Sequence, residues 1–121
     1  MTWQRQGLGR RGEEQASSFL EQAGYQILAR NYRTRGAELD IVALDRDELV
    51  FVEVKSRNTL AFGSPLEAIT RHKQGKIALA AREYLLREKA QGVAARFDVV
   101  AVIFTKGKPT IEHIKNAFEL G

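Results

Sequence analysis

The spacing of apolar residues predicts a first helix over residues 13–23. Ala16, Leu20 and Ala23 recur at intervals of three and four, which places them on one face of a helix. Gly24 follows directly, and glycine commonly ends a helix. The segment therefore predicts an amphipathic helix that packs on a core through one face.

A second helical segment is predicted to begin at Ser-Pro-Leu-Glu, residues 64–67. Serine and glutamate three positions apart form a capping box, and proline is favoured at the first helical position. Apolar spacing continues to about residue 89, and Thr70 offers a second cap at which the segment can divide. Gly75 costs about 1 kcal/mol relative to alanine inside a helix, so packing must hold this segment.

Apolar runs and alternating patterns predict the strands. They cover residues 25–32, 38–44, 49–55 and 97–104, and a further strand over residues 110–114 can be added at the edge. The order is α-β-β-β-α-β with a possible final strand. This order predicts an α/β fold in which a central mixed sheet is flanked by helices.

The second and third strands predict a hairpin because the polar residues 45–48 between them suit a tight turn. Pairing the strands about this turn places Asp40 across from Glu53 and Glu38 across from Lys55. Strand alternation puts these four side chains on one face. The opposite face is predicted to carry Leu39, Ile41, Val50, Val52 and Val54.

The predicted opposition of Asp40 and Glu53 calls for a positive partner, because like charges directly across a hairpin destabilise it. Lys55 on the same face is one candidate, and a bound divalent cation is another. Mg²⁺ suits such a position because it prefers oxygen ligands and is typically held by one or two carboxylates with waters and substrate phosphate.

The predicted helices add two charged residues to this face of the sheet. Glu13 lies on the apolar stripe of the first helix, whereas Glu14 faces water. Lys73 precedes Ile77 and Tyr84 at helical spacing, so its stem is expected to lean inward. A plainer interpretation stays open, in which these charges form a salt-bridge array on the surface, worth about 1 kcal/mol or less per pair.

Composition narrows the class of protein. With 121 residues, the chain is the size of one domain, residues 1–121, and residues 1–8 are expected to form a flexible lead. The absence of cysteine excludes disulfides, thiolate metal sites and cysteine nucleophiles. The longest apolar run, residues 99–104, is far shorter than the ~20 residues of a membrane-spanning helix, and residues 1–15 lack a secretory apolar core. We therefore expect a cytoplasmic protein with no membrane partner.

Charge is distributed unevenly along the chain, whose net charge is +4. Residues 1–35 carry six arginines against three acids, and residues 57–96 carry eight basic residues against three acids. Residues 36–56 between them carry six acids against two basic residues. Basic flanks around an acidic centre favour a polyanionic partner, although a solvated basic surface would give the same count.

Five segments spread over almost the whole chain resemble the YraN-like family of small bacterial proteins. They are GEEQA at 12–16, RNYRTRGAELDIVA at 30–43, VFVEVKSR at 50–57, FGSP at 62–65 and RFDVV at 96–100. That family is similar to the restriction-endonuclease-like superfold, whose PD-(D/E)xK signature is shared with archaeal Holliday-junction resolvases. Leu39 stands where the name of the signature has proline.

The resemblance implies a set of site residues. Asp40 matches the aspartate of the signature, Glu53 and Lys55 match its E-x-K pair, and Glu13 matches the acid that resolvase-like members carry on their first helix. Asp40 and Glu53 would hold one or two Mg²⁺ or Mn²⁺ ions, together with the Val54 carbonyl and, through water, Glu13. The resemblance thus implies a restriction-endonuclease-like core with a metal-dependent phosphodiesterase site.

We expect this site to act as an endonuclease on DNA, including branched or structured DNA, with RNA as an open alternative. Lys55 would orient the attacking water and stabilise the transition state, because two neighbouring carboxylates are expected to raise the pKa of its ammonium group. A homodimer would suit the cutting of two strands. The alternative is a nucleic-acid-binding module that keeps the fold without cleavage. The residues expected to contact phosphates are Arg33, Arg35, Arg57, Lys73 and Lys76.

Overall fold

The computed structural model describes residues 2–58, 65–106 and 108–119, and of residues 2–8 it describes only the helical backbone. Its elements are α1 (Thr2–Gln22), β1 (Gln26–Arg33), β2 (Glu38–Asp45), β3 (Glu48–Arg57), a 3₁₀ turn (Pro65–Ala68), α2 (Arg71–Arg87), β4 (Ala95–Thr105) and β5 (Lys108–Ile114). The predicted order of elements is confirmed, and the final strand is present.

The five strands form one mixed sheet in the order β1-β2-β3-β4-β5. Neighbouring strands are antiparallel except β3 and β4, which run parallel and are joined through α2. A parallel pair needs such a crossover because its strands must start from the same edge of the sheet. The predicted α/β class is therefore confirmed.

Each helix covers one face of the sheet. Helix α1 buries Ala16 and Leu20 against a cluster that includes Ile41, Val52 and Val100. Helix α2 buries its own apolar stripe against the other face. The members of this second cluster are Leu39, Val42, Leu49, Phe51, Ile69, Ile77, Ala80, Ala81, Tyr84 and Val99. The two layers keep both faces of the central strand β3 away from water.

The hairpin of β2 and β3 has the predicted register, with Leu44 opposite Leu49 and Ile41 opposite Val52. Leu39 is an exception to the predicted faces. It is buried in the cluster under α2 rather than beside Ile41. Neighbouring strand β1 is irregular, since its register shifts once along β2 and Asn31 has a φ of 51°. Simple alternation therefore fails at this end of β2.

Helix α1 begins at Thr2, well before the predicted start at residue 13. Residues 2–8, for which a flexible lead is expected, have a helical backbone. Gly12 explains how the longer helix packs: a Cβ built on it would lie 1.7 Å from Ser56 Oγ and 2.9 Å from Ser56 Cβ. Glycine at this position therefore permits a close approach of α1 to β3.

The second helical segment divides at the predicted place. The 3₁₀ turn ends at Ala68, and Thr70 caps α2 by accepting a hydrogen bond from the Lys73 N–H at 3.2 Å. The predicted capping serine, Ser64, lies outside the described residues. Among the helices described, neither is long and apolar enough to cross a membrane.

Candidate active site

Strands β2 and β3 separate at the end of their hairpin that is far from the turn. Their backbone pairing runs from Asp45 and Glu48 to Ile41 and Val52. One residue further on, the Asp40 carboxylate accepts a hydrogen bond from the Val54 N–H at 2.8 Å. The Asp40 side chain thus accepts the kind of hydrogen bond that a backbone carbonyl accepts elsewhere in the sheet. This bond holds the Asp40 carboxylate between the two strands.

Asp40 and Glu53 lie close together at this fork, as predicted, although the backbone pairing of β2 and β3 ends one residue before them. Glu53 is buried, with 9% of its surface exposed. Burial raises the pKa of Asp40 to about 8, and the charge of Glu53 and a side-chain hydrogen bond with it act in the same direction. The pair therefore keeps a proton near neutral pH when no cation is present, and a cation that binds both carboxylates would displace it.

Two lysines face this acidic pair. Lys73 of α2 forms an ion pair with Glu53, with 3.8 Å between Nζ and Oε1. Burial lowers the pKa of Lys55, and the neighbouring Lys73 ammonium lowers it further, against the opposing effect of Glu53 and Asp40. The two carboxylates do raise the pKa of Lys55, as expected, but the expected net increase is wrong because burial and the second ammonium group outweigh them.

Helix α1 brings a third acid, Glu13, to the same place. Burial raises the pKa of Glu13, and the charge of Asp40 raises it further. With its amide nitrogen turned toward the acids, Asn31 donates hydrogen bonds to both oxygens of Glu13, at 3.0 and 3.1 Å, and to Glu38 at 3.0 Å. Asn31 is not among the site residues predicted from the sequence. Its one signal was an asparagine inside a predicted strand, where this residue type is uncommon.

A cavity of about 460 Å³ opens on this cluster. Its lining residues are Gly9, Glu13, Asp40, Glu53, Val54, Lys55, Ser56 and Lys73. A second cavity of about 260 Å³ shares Asp40, Glu53 and Lys73 and adds Glu38 and Lys76. All the residues predicted to hold metal or act in catalysis thus border one space between α1, α2 and the fork of the hairpin.

The remaining residues predicted to contact phosphate are more dispersed. Arg33 is largely exposed and lies 3.5 Å from the Glu38 carboxylate. Arg35 lies in the exposed bend between β1 and β2, and Arg57 is the last residue of β3. Within the described chain, these three arginines line neither of the two cavities at the fork.

The acidic pair suits a divalent metal ion in its donor chemistry. Asp40 and Glu53 supply hard carboxylate oxygens, and Mg²⁺ commonly uses only one or two carboxylates with waters and a substrate phosphate. Among residues 2–58, 65–106 and 108–119, no three histidine, cysteine, aspartate or glutamate side chains form a metal-binding group. The fit is therefore to a two-carboxylate site, in which Glu13 is an outer neighbour.

A second polar cluster lies at the turn end of the hairpin. Arg96 forms ion pairs with Asp45 at 3.0 Å, Glu48 at 2.7 Å and Asp98 at 2.9 Å. Asp98 is fully buried and also contacts His113 at 2.7 Å. Burial would raise the pKa of Asp98, but hydrogen bonds from His113, Arg96 and the Asn116 N–H outweigh it and hold that pKa below its usual value. This cluster joins the hairpin turn to β4 and β5.

Similarity to known proteins agrees with the resemblance found in the motifs. The sequence matches the uncharacterised protein family UPF0102 over residues 12–102. A UPF0102 protein of Geobacter sulfurreducens is 52% identical over 114 residues, which cover 93% of this chain and 89% of that protein. A UPF0102 protein of Geobacter metallireducens is 46% identical over 120 residues, 99% of this chain and 98% of that one. The chain belongs to the UPF0102 family.

Proposed function

We propose that this protein is a Mg²⁺- or Mn²⁺-dependent nuclease that hydrolyses phosphodiester bonds in DNA. The observation that carries the proposal is that half-buried Asp40 and buried Glu53 face Lys55 and Lys73 across one cavity. Binding a polyanion gains nothing from buried negative charge. Metal-dependent phosphoryl chemistry needs both carboxylates for the cation and positive groups for the phosphate.

Asp40 and Glu53 are the residues assigned to the metal, with the Val54 carbonyl completing the set from the protein. When bound, a divalent ion polarises the phosphate and lowers the pKa of a water. The Val54 N–H holds Asp40 in place from the other side, at 2.8 Å. Glu13, held by Asn31, acts on this cluster from α1 through water.

Lys55 is assigned to the attacking water and to the charge that develops on phosphate. The water oxygen forms a bond to phosphorus while the P–O ester bond breaks. The attacking water gives up one proton to solvent, and the leaving oxygen takes one up from solvent. An ammonium group fixed beside this centre stabilises the additional negative charge in the transition state. Lys76 and Lys73, which border the adjoining cavity, are assigned to flanking phosphates.

The proposal is tested with purified protein on plasmid, single-stranded and four-way-junction DNA in the presence of Mg²⁺ or Mn²⁺. We expect Asp40→Asn and Lys55→Met to lower cleavage at least about 100-fold, since each removes a group that acts on the transition state. Glu14→Gln is the matched control, because Glu14 is exposed one residue from Glu13. Cleavage that persists undiminished in both site variants would assign the activity to another protein or another site.

A second candidate function is nucleic-acid binding without cleavage. It is favoured by the absence of a three-residue metal group within the described chain and by the ion pair that already occupies Glu53. Calorimetric titration with Mn²⁺ separates the two candidates. A protein that binds DNA in a salt-dependent manner but gives no heat with Mn²⁺ supports binding alone.

A further inference from the structure

We propose that Lys73 is an exchangeable counter-ion of the acidic pair, which it leaves when a metal ion binds and a substrate phosphate arrives. This inference rests on the proposed function, because it assumes that Asp40 and Glu53 accept a divalent ion. It adds a regulatory property to the site: the metal and the nucleic acid each favour the binding of the other.

The two partners of the Lys73–Glu53 ion pair differ in exposure, which allows one of them to leave while the other stays in place. The Glu53 side chain is 10% exposed, whereas the Lys73 side chain is 41% exposed. The acid is fixed in the central strand, and the ammonium group reaches it from the first turn of α2 at 3.8 Å. Lys73 can therefore leave by rotation of its own side chain, without movement of the helix or the sheet.

Charge balance explains why Lys73 should leave. Lys55 and Lys73 both line the cavity that opens on Asp40 and Glu53. A divalent ion added to Asp40 and Glu53 would place a third cationic group in the same small space. Like charges at short range repel, and the two lysines with the ion carry more positive charge than Asp40 and Glu53 carry negative charge, so the entry of an anion is favoured. A phosphate group supplies that anion and offers Lys73 a new partner.

Lys73 is better suited to this exchange than Lys55. Lys55 lies on β3 two residues after Glu53 and is partly covered by the surrounding elements. Lys73 lies on a separate element and also borders the adjoining cavity, where Lys76 is found. A short displacement of its ammonium group thus leads from Glu53 into the adjoining cavity, where Lys76 offers a second cation for the same phosphate.

The exchange makes a specific prediction for metal affinity without nucleic acid. Removing Lys73 abolishes the competition for Glu53, so Lys73→Gln should bind Mn²⁺ about fivefold more tightly than the original protein, the size expected for one partly exposed ion pair. Lys73→Arg keeps the charge and should retain the original affinity. Lys115→Gln removes the same charge near the turn end of the hairpin and should change little.

The measurement is calorimetric titration of each protein with Mn²⁺ alone. Anisotropy of a short fluorescein-labelled duplex with uncleavable phosphorothioate linkages is then followed with and without Mn²⁺. In the original protein Mn²⁺ should strengthen duplex binding, and in Lys73→Gln this strengthening should be smaller, since reciprocal coupling requires the exchanging group.

The outcomes separate the two proposals. Equal or weaker Mn²⁺ binding by Lys73→Gln overturns the counter-ion role and leaves the proposed nuclease site in place. Binding of Mn²⁺ by Lys73→Gln but not by the original protein supports the counter-ion role in its strongest form. If neither protein binds Mn²⁺, the metal site itself is refuted, and the exchange falls with it.

Discussion

At the scale of single residues, the strand register predicts some features of the candidate site but not those that depend on the helices. Asp40 and Glu53 could be placed together because the hairpin turn fixes the register as far as Ile41 and Val52, the residues next to them. The pKa of Lys55 could not be predicted, because it depends on burial and on Lys73, which comes from a helix whose position no local pattern gives. Asn31 was missed for the same reason, since its two acidic partners lie on α1 and β2.

The buried Asp98 gives a prediction about pH. Its pKa is held below the usual value, so the stability that it contributes is complete above about pH 4, where the unfolded carboxyl is also ionised, and is lost as the pH falls through the folded pKa. Asp98→Asn should lower the free energy of unfolding by about 3 kcal/mol near neutral pH, because Arg96 then loses a buried partner. Urea denaturation between pH 3 and pH 7, roughly the range over which carboxyl groups titrate, measures the difference between the two proteins.

The difference in unfolding free energy between Asp98→Asn and the original protein should shrink toward acid pH, because protonation of Asp98 removes the same charge from the original protein. Asp47→Asn is the control, since Asp47 is exposed in the turn next to the cluster. A constant difference across the whole pH range would mean that the Asp98 charge contributes nothing and that only its shape matters.

At the scale of elements, strands were easier to predict than the start of α1. The apolar alternation of β2 and β3 reports directly on burial, and both strands were predicted to within a few residues. Residues 2–12 of α1 contain three glycines and little apolar periodicity, which argued against a helix. Tertiary contacts decide the outcome instead, including the guanidinium of Arg11, which lies 4.4 Å from the centre of the Phe104 ring.

Alanine in place of Gly12 in α1 and of Gly75 in α2 should change the free energy of unfolding in opposite directions. Gly12→Ala places a methyl group against Ser56, and rotation of the serine cannot relieve the 2.9 Å approach to its Cβ. We expect a loss of about 2 kcal/mol in unfolding free energy and a displacement of α1 that moves Glu13 away from Asp40. Gly75→Ala meets no atom within 4 Å and should stabilise α2 by up to about 1 kcal/mol.

Thermal and urea denaturation of both variants measure these effects. Mn²⁺ titration of Gly12→Ala adds a functional readout, because the affinity should fall only if Glu13 helps to hold the ion. Stabilisation by Gly12→Ala comparable to that by Gly75→Ala would show that α1 does not need its close approach to β3.

At the scale of the whole molecule, the central hairpin separates two charged clusters. Its turn end holds the Arg96 and Asp98 cluster, in which every carboxylate has a strong local partner. At its open end, Lys73 pairs with Glu53, and the raised pKa of Asp40 lets that carboxyl keep a proton near neutral pH. The first arrangement stabilises the junction of strands, whereas the second leaves the protein able to gain from an added cation. The proposed function follows from this contrast.

The same contrast predicts which end of the molecule faces nucleic acid. Each phosphate neutralised by a lysine releases counterions, so the logarithm of the binding constant falls with the logarithm of salt concentration by about 0.9 per contact on duplex DNA. Lys76→Gln, at the cavity beside the acidic pair, should reduce the magnitude of that slope by about one. Lys115→Gln, at the cavity beside the hairpin turn, should leave it unchanged. Fluorescence anisotropy over a range of salt concentrations without metal gives both slopes. If Lys115→Gln lowered the slope and Lys76→Gln did not, DNA would bind at the turn end, where neither Asp40 nor Glu53 could reach a phosphate.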